Sequence, residues 1–175
     1  VNYPKIEVPV YLDGTFGFNV YEKQKELKAA LIQADEELAE KLESELKELV
    51  KKAEDSKFVV TVQGIPAVAR RKILEDLLEE FPQEIDLFGR EKPSLKRDHA
   101  YTVAIWTAML TQIVSPSGQV SPVGQAEVEN LLNHAPSMAI ESINAAIDEL
   151  STGEKSGFEA AAKEVNFLSD ASPEG

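Results

Sequence analysis

The side chains that could support chemistry in this 175-residue chain are few and scattered. The two histidines, His99 and His134, are far apart in the sequence, and neither lies in an HExxH motif or another ligand-rich pattern. Acidic pairs such as Glu36–Glu37 and Glu79–Glu80 have the chemistry of a general acid and base, but they are expected by chance among 31 acidic residues. The sequence therefore predicts no catalytic residues and no metal ligands.

Motifs for binding nucleotides or cofactors are also missing. No glycine pair has the spacing of a nucleotide-binding or dinucleotide-binding loop, and GxSxG does not occur. Trp106, Tyr101 and Phe88 could line a pocket, but aromatic residues at helical spacing more often belong to a core. We therefore expect no cofactor and no enzymatic activity.

The charge balance limits the classes of partner. The chain has 18 basic and 31 acidic residues, which give a net charge of −13, whereas phosphate recognition depends on clustered Lys and Arg. The one basic cluster, at residues 70–72, shares a helical pattern with Glu75 and Asp76 and indicates a solvated helix face. Nucleic acids and anionic membrane surfaces are therefore disfavoured as partners.

The chain also lacks the sequence features of disulfide-bonded, secreted and membrane proteins. It has no cysteine, so neither a disulfide nor a thiolate metal site can form. The N-terminal sequence VNYPKIEVPVYLDG lacks a basic region followed by an apolar run, and no apolar stretch approaches the ~20 residues that span a bilayer. We expect a soluble protein without a signal peptide.

A charged amphipathic segment at residues 21–56 is the most distinctive element. Its apolar residues recur at steps of three and four, as they do on one face of an α-helix: Leu27, Leu31, Ala34, Leu38, Leu42, Leu46 and Leu49. The pattern predicts one continuous helix on the order of 50 Å long, which is longer than a compact domain of this size needs. Because the spacing departs from a strict heptad, packing on the protein's own core is favoured over a long dimeric coiled coil.

Part of this apolar stripe should be covered by something other than the core. An exposed apolar patch of that extent is uncommon on a monomer, so self-association or a partner helix is the expected cover. The predicted partner-binding residues are Leu27, Leu31, Leu38, Leu42 and Leu49. The sheet edge beside the helix is the alternative surface.

The first 20 residues predict a β-hairpin. Side chains alternate between apolar and polar from Lys5 to Leu12, and the alternation resumes at residues 16–20 after Asp13–Gly14, a dipeptide suited to a tight turn. Pro9 cannot donate to a strand ladder, so the first strand should lie at a sheet edge or carry a bulge. Residues 58–62 are the expected third strand, which the long helix would connect to the hairpin.

Helical patterns predominate after residue 64. Pro66 precedes a predicted helix at residues 67–80, and Asp98 is the expected N-cap of a helix through Val114. Trp106 lies on the apolar face of the second helix and should be mostly buried. Three shorter helices are predicted after a turn-rich linker at residues 115–122, namely residues 124–134, 137–150 and 156–168.

The loop at residues 82–97 separates the first two of these helices. It contains two prolines and a glycine, and its apolar residues Ile85, Leu87 and Phe88 should pack down on the core. Together the elements predict an α+β fold with a small antiparallel sheet, a long charged helix and a C-terminal helical bundle. The predicted organisation is the hairpin, long helix and third strand at residues 1–64, a helical region at 65–168 and a disordered tail at 169–175.

Two segments resemble a known family. GFEAAAKEVNFL at residues 157–168 contains the pattern F-x-x-A-A-x-x-V-N, formed by Phe158, Ala161, Ala162, Val165 and Asn166. The pattern is similar to the final helix of the shorter product of tail assembly chaperones from siphophages of actinobacteria. The segment Ala69–Pro82, with the loop and helix that follow it, resembles the middle of such proteins, so the resemblance covers residues 58–169.

The resemblance implies a non-enzymatic protein that coats the tape-measure protein during tail assembly in the host cytoplasm and leaves before maturation. It also implies a frameshifted longer product. The alternative hypothesis is a virion structural or accessory protein of the capsid or tail, which makes permanent contacts with neighbouring subunits. Presence in the purified virion would distinguish the two. A small enzyme is a third hypothesis, and it would need a concave polar site that the sequence does not indicate.

Overall fold

A computed structural model describes residues 2–153 and 162–163 and shows an α+β fold, which confirms the predicted fold class. In chain order the elements are β1 (Lys5–Val10), α1 (Thr15–Ile32), α2 (Glu36–Asp55), β2 (Phe58–Gln63), α3 (Ala67–Glu80), α4 (Leu95–Met109), β3 (Leu110–Val114), β4 (Val120–Pro122), α5 (Gln125–His134) and α6 (Ser137–Asp148), followed by a π-helical turn (Glu149–Gly153). The predicted helix at residues 156–168 lies outside the described residues except for 162 and 163, which are helical, and the predicted tail at 169–175 lies outside them entirely.

The four strands form one antiparallel sheet in the order β1-β2-β3-β4. β1 pairs with β2 in a register that places Val8 opposite Val60, which confirms that residues 58–62 pair with the first strand. β1 is an edge strand, as Pro9 predicts, because proline has no N–H to donate to a second neighbour. A bulge between Thr61 and Val62 interrupts the pairing of β2 with β3.

The core lies between one face of this sheet and the helices. The sheet contributes Val8, Val10, Val60 and Val62, and α6 packs across β1 and β2 on this face. Trp106 of α4 is 1% exposed, which confirms the predicted burial. The indole N–H of Trp106 donates to the side-chain oxygen of Asn144 on α6 at 3.0 Å. The buried N–H therefore has a hydrogen-bond partner while the indole ring packs in the core.

The predicted second strand of the N-terminal hairpin is wrong, because residues 16–20 belong to α1. Gly14 has φ −64° and ψ −14°, in the right-handed helical region, whereas the expected hairpin turn requires positive φ. The Asp13 carboxylate accepts hydrogen bonds from the Thr15 amide at 2.9 Å and the Thr15 hydroxyl at 2.6 Å. Asp13 therefore satisfies a free amide donor at the start of a helix, a role that its residue type suits as well as a turn.

The predicted single long helix is also wrong, because α1 and α2 are two antiparallel helices of about 27 and about 30 Å. The break is a Schellman motif in which Ala34 has φ +55°. The Asp35 amide donates to Ala30 O at 3.0 Å, and the Ala34 amide donates to Leu31 O at 3.2 Å. Asp35 then caps α2 by accepting from the Leu38 amide at 3.1 Å. Because Ala34 fits the helical spacing of the apolar residues, the sequence pattern did not reveal the break between the two helices.

The helix predicted from Asp98 to Val114 differs at both ends. Ser94 is the N-cap, since its hydroxyl accepts from the Arg97 amide at 3.2 Å, and α4 ends at Met109. Residues 110–114 form β3, and the predicted linker contains β4 and a turn in which Gly118 has φ +86°. The apolar period of α4 continues into β3, so periodicity alone did not locate the change. The predicted helices at 67–80, 124–134 and 137–150 are confirmed to within two residues.

Candidate protein-interaction surfaces

The candidate catalytic side chains do not come together. His99 borders a groove of about 570 Å³ between α3, α4 and α5, and the groove is lined largely by apolar side chains such as Ile73, Leu77 and Val103. His134 is exposed at the end of α5. In the described part of the chain, no three His, Cys, Asp or Glu side chains are grouped closely enough to hold a metal ion. The same residues include no helix that is long and apolar enough to cross a membrane.

The basic cluster at residues 70–72 is only partly a solvated face. Arg71 and Lys72 are exposed, but Arg70 is half-buried and donates to the Ser151 hydroxyl at 2.6 Å. Its guanidinium also lies 3.7 Å from the sulfur of Met109, beside a cavity of about 420 Å³ that Tyr3 helps to line. Arg70 therefore fastens α3 to the π-helical turn after α6, which is a structural role that helical periodicity alone could not indicate.

Helices α1 and α2 form an arm, defined as residues 15–55. The two helices pack on each other, and neither packs extensively against any other described element. Lys23 and Glu45 form an ion pair of 2.6 Å across the arm, and this hydrogen bond raises the pKa of Lys23 and lowers that of Glu45. At the base of the arm the Tyr11 hydroxyl donates to Glu54 Oε1 at 2.8 Å. That bond raises the pKa of Tyr11 and links β1 to the end of α2.

The arm has a small core of its own. Ala30, Ala39 and Leu42 are buried between its helices, with Leu27 packed beside them. The three large apolar side chains at its turn, which we call the arm tip, are exposed: Leu31 is 63%, Ile32 82% and Leu38 40% accessible. The arm therefore buries little apolar surface internally and presents a compact apolar end to solvent.

The five predicted partner-binding residues thus differ in their burial. Leu27 and Leu42 lie between the helices, and Leu49 is half-buried on α2. Leu31 and Leu38 lie at the arm tip. Sequence reasoning missed Ile32, which the periodic stripe excludes. The available signal was the pair Leu31–Ile32 immediately before Asp35, a residue that commonly caps a helix.

The edges of the sheet are poorly suited to adding a strand. β1 carries Pro9 in its middle, and β4 is three residues long and ends in Pro122. Short edges that contain proline are a common protection against strand pairing, because each proline removes a backbone donor. Of the two surfaces considered from the sequence, the arm therefore offers more to a partner than the sheet edge does.

The sheet face away from the core carries one apolar row. Pro9, Val59, Val114 and Val120 are consecutive partners across the four strands. None of the four belongs to the core, and Val120 is 59% exposed. The next row toward the other end of the sheet contains Glu7, Thr61, Gln112 and Pro122. The apolar part of this face is therefore narrow, one residue deep along β1, β2 and β3.

Comparison of the chain with protein-family models, with curated proteins and with solved structures finds no match. The resemblance of residues 58–169 to phage tail assembly chaperones therefore has no support beyond the sequence pattern itself. Of the five residues that carry that pattern near the C-terminus, only Ala162 is among the described residues, and it is helical. The geometry of the arm stands independently of this resemblance.

Proposed function

We propose that the chain is a non-enzymatic bacteriophage morphogenesis protein, a tail assembly chaperone that binds the tape-measure protein. The sequence resemblance supplies the biological setting of this proposal. The structural observation that supports it is the arm, whose two helices pack mainly on each other and which exposes Leu31, Ile32 and Leu38 at its tip.

The arm suits a helical partner. Two antiparallel helices with three buried residues between them form an incomplete bundle, and a third helix that packs against the arm tip would bury more apolar surface. The charged side chains along both helices keep the free arm soluble until a partner is bound. A helix-rich protein such as the tape-measure protein is therefore a fitting ligand.

The size of the arm tip favours a reversible contact. Permanent subunit interfaces commonly bury more than about 2,000 Å² and resemble a domain core cut in half. Three exposed apolar side chains at the end of a charged hairpin are far fewer than such an interface contains. This contrast supports a chaperone that leaves its partner over a component that stays with it.

A virion structural or accessory protein is the second candidate. The observation that favours it is the apolar row on the sheet face away from the core, formed by Pro9, Val59, Val114 and Val120. A neighbouring subunit that covered this row would make a permanent contact. Mass spectrometry of purified virions separates the two functions. The chaperone should be present in infected cells and absent from virions, whereas the structural protein would be present in both.

Coexpression with the tape-measure protein of the same genome tests the binding step. We expect the chain to copurify with that protein and to keep it in the soluble fraction. The double substitution of Leu31→Asp and Ile32→Asp should abolish copurification, whereas Val68→Asp should not. Val68 is a matched control because it is 72% exposed on α3 and lies outside the arm. No copurification with the unmodified chain, or equal capture by the arm-tip variant, would reject the proposal.

A further inference from the structure

The loop between α3 and α4 is closed on itself. The Lys92 amide donates to Glu84 O at 2.8 Å, and the Asp86 amide donates to Arg90 O at 2.8 Å. The Asp86 carboxylate accepts from the backbone amides of Phe88 and Arg90 at 2.8 and 2.9 Å, and Gly89 supplies the required positive φ of 75°. These bonds hold the loop without help from the core, so the expectation that its apolar residues pack on the core is wrong.

The closed loop presents an apolar knob, defined as Leu87 and Phe88. Leu87 is 101% and Phe88 80% exposed, and Ile85 at the base of the loop is 66% exposed. The Arg90 guanidinium lies 5.2 Å from the centre of the Phe88 ring, which favours an ordered ring position. A preordered apolar knob loses little conformational entropy when it is buried by a partner.

The charges around the knob are paired within the loop and its neighbouring helix. Asp86 pairs with Arg90 at 3.1 Å, and Glu84 pairs with Lys92 at 3.6 Å. Glu91 pairs with Arg97 of α4 at 2.6 Å. These six side chains sum to zero charge in a chain whose net charge is −13. A second copy of this acidic chain would therefore meet less repulsion here than at a surface of average charge.

An apolar groove lies beside the loop that carries the knob. The groove has a volume of about 300 Å³ between α3 and α4, and Leu74, Leu77, Leu78 and Tyr101 form its apolar lining. Glu91 and Arg97, which belong to the paired charges described above, border the same groove together with Asp98. Leu74 and Leu78 are 44% and 42% exposed, so this apolar surface is open to solvent.

We propose that the knob and groove form a dimer interface, in which the knob of each copy occupies the groove of the other. A two-fold interface requires a self-complementary patch, and a knob adjacent to a groove provides one. With Asp98 included, the charged side chains of the loop and groove sum to −1 in a chain of net charge −13, so two acidic copies meet less repulsion here than at a surface of average charge. The closed loop holds the knob in place before the second copy binds. This interface goes beyond the proposed function and does not involve the arm, so either proposal can fail without the other.

Sedimentation equilibrium of the full chain tests the dimer. The unmodified chain should associate, and Phe88→Asp and Leu78→Asp should each raise the dimer dissociation constant by at least about tenfold, which corresponds to about 1.4 kcal/mol. Val68→Asp is the matched control, because Val68 is 72% exposed on α3 and belongs to neither the knob nor the groove, and it should leave the constant unchanged. Unchanged near-ultraviolet circular dichroism of Trp106 would show that each variant is folded.

Mixing the two interface variants shows whether the substitutions weaken association by breaking the knob-and-groove contact or only by removing apolar surface. The Leu78→Asp chain keeps its knob and the Phe88→Asp chain keeps its groove, so the mixture should form heterodimers with one of the two contacts restored. We expect the mixture to associate more tightly than either variant alone. A monomeric unmodified chain, a dimer insensitive to both substitutions, or a mixture no tighter than its components would overturn the proposal.

Discussion

The Asp35 amide donates a hydrogen bond to the carbonyl oxygen of Ala30 at 3.0 Å, and this contact ends α1 where the apolar stripe continues. The turn forces Ala34 to φ +55°, a conformation that favours glycine. One residue in a left-handed conformation therefore converts a rod of on the order of 50 Å into a two-helix arm. The arm tip exists because of this turn.

Replacing Ala34 by glycine should stabilise the arm. Glycine removes the steric cost of positive φ, while its greater flexibility in the unfolded chain offsets part of the gain, so we expect a net stabilisation of about 0.5–1 kcal/mol. Ala29→Gly is the matched control, because Ala29 lies in the exposed interior of α1, where glycine destabilises by roughly 0.5–1 kcal/mol. Native-state hydrogen exchange of the arm amides measures both effects. Equal changes in the two variants would contradict the assigned turn.

Trp106 should be the most costly single core truncation. It is 1% exposed and packs with Met109, so Trp106→Ala should reduce the free energy of unfolding by about 3–5 kcal/mol. Asn144→Ala removes the partner of the buried indole N–H and should cost about 1–3 kcal/mol. Urea unfolding measures both values. A cost for Trp106→Ala below that of Asn144→Ala would contradict the central position of Trp106 in the core.

The loop between α3 and α4 should lose order in acid. Hydrogen bonds from the backbone amides of Arg90 and Phe88, and from the Arg90 side chain, hold the pKa of Asp86 below its ordinary value. Because the folded-state pKa is lowered, the stabilisation is fully present above the ordinary carboxyl value of about 3.9 and is lost as the pH falls through the folded-state pKa.

Nuclear magnetic resonance of the Phe88 and Arg90 amide protons monitors this loss. In the unmodified chain both signals should shift together below about pH 4. In the Asp86→Ala chain this shared pH dependence should be absent. The Gln119 amide, which donates to the Ser115 hydroxyl, serves as a reference elsewhere in the chain, because its acceptor is not a carboxylate. Amide shifts of Phe88 and Arg90 that do not depend on Asp86 would contradict the closed loop.

Sequence patterns identified the elements whose limits are set by local residue types. Alternation of apolar and polar residues predicted β1, and a run of β-branched residues predicted β2. Pro66 before apolar residues at helical spacing predicted α3. The arm turn and β3 were missed because Ala34 and Ile113 continue the apolar period of the preceding segment. Backbone hydrogen bonds determine the conformation in both cases. In the arm turn they are the bonds of the Asp35 and Ala34 amides to the end of α1, and in β3 they are the bonds to β2.

The interaction surfaces were predictable only in part. Leu31 and Leu38 were named from the stripe and lie exposed at the arm tip, whereas Leu27 and Leu42 became internal because α1 folds back on α2. The exposure of Leu87 was not predictable, since an apolar residue in a loop is ordinarily expected to pack inward. It depends on the self-contained hydrogen bonding around Asp86.

The affinity of the purified chain for the tape-measure protein of the same genome shows whether the arm tip binds this proposed partner. Isothermal titration should detect binding by the unmodified chain. The double substitution of Leu31→Asp and Ile32→Asp should weaken binding by at least about tenfold, or about 1.4 kcal/mol, while circular dichroism shows that the arm remains helical. No binding by the unmodified chain, or equal affinity of the folded double variant, would contradict a role of the arm tip in binding this protein.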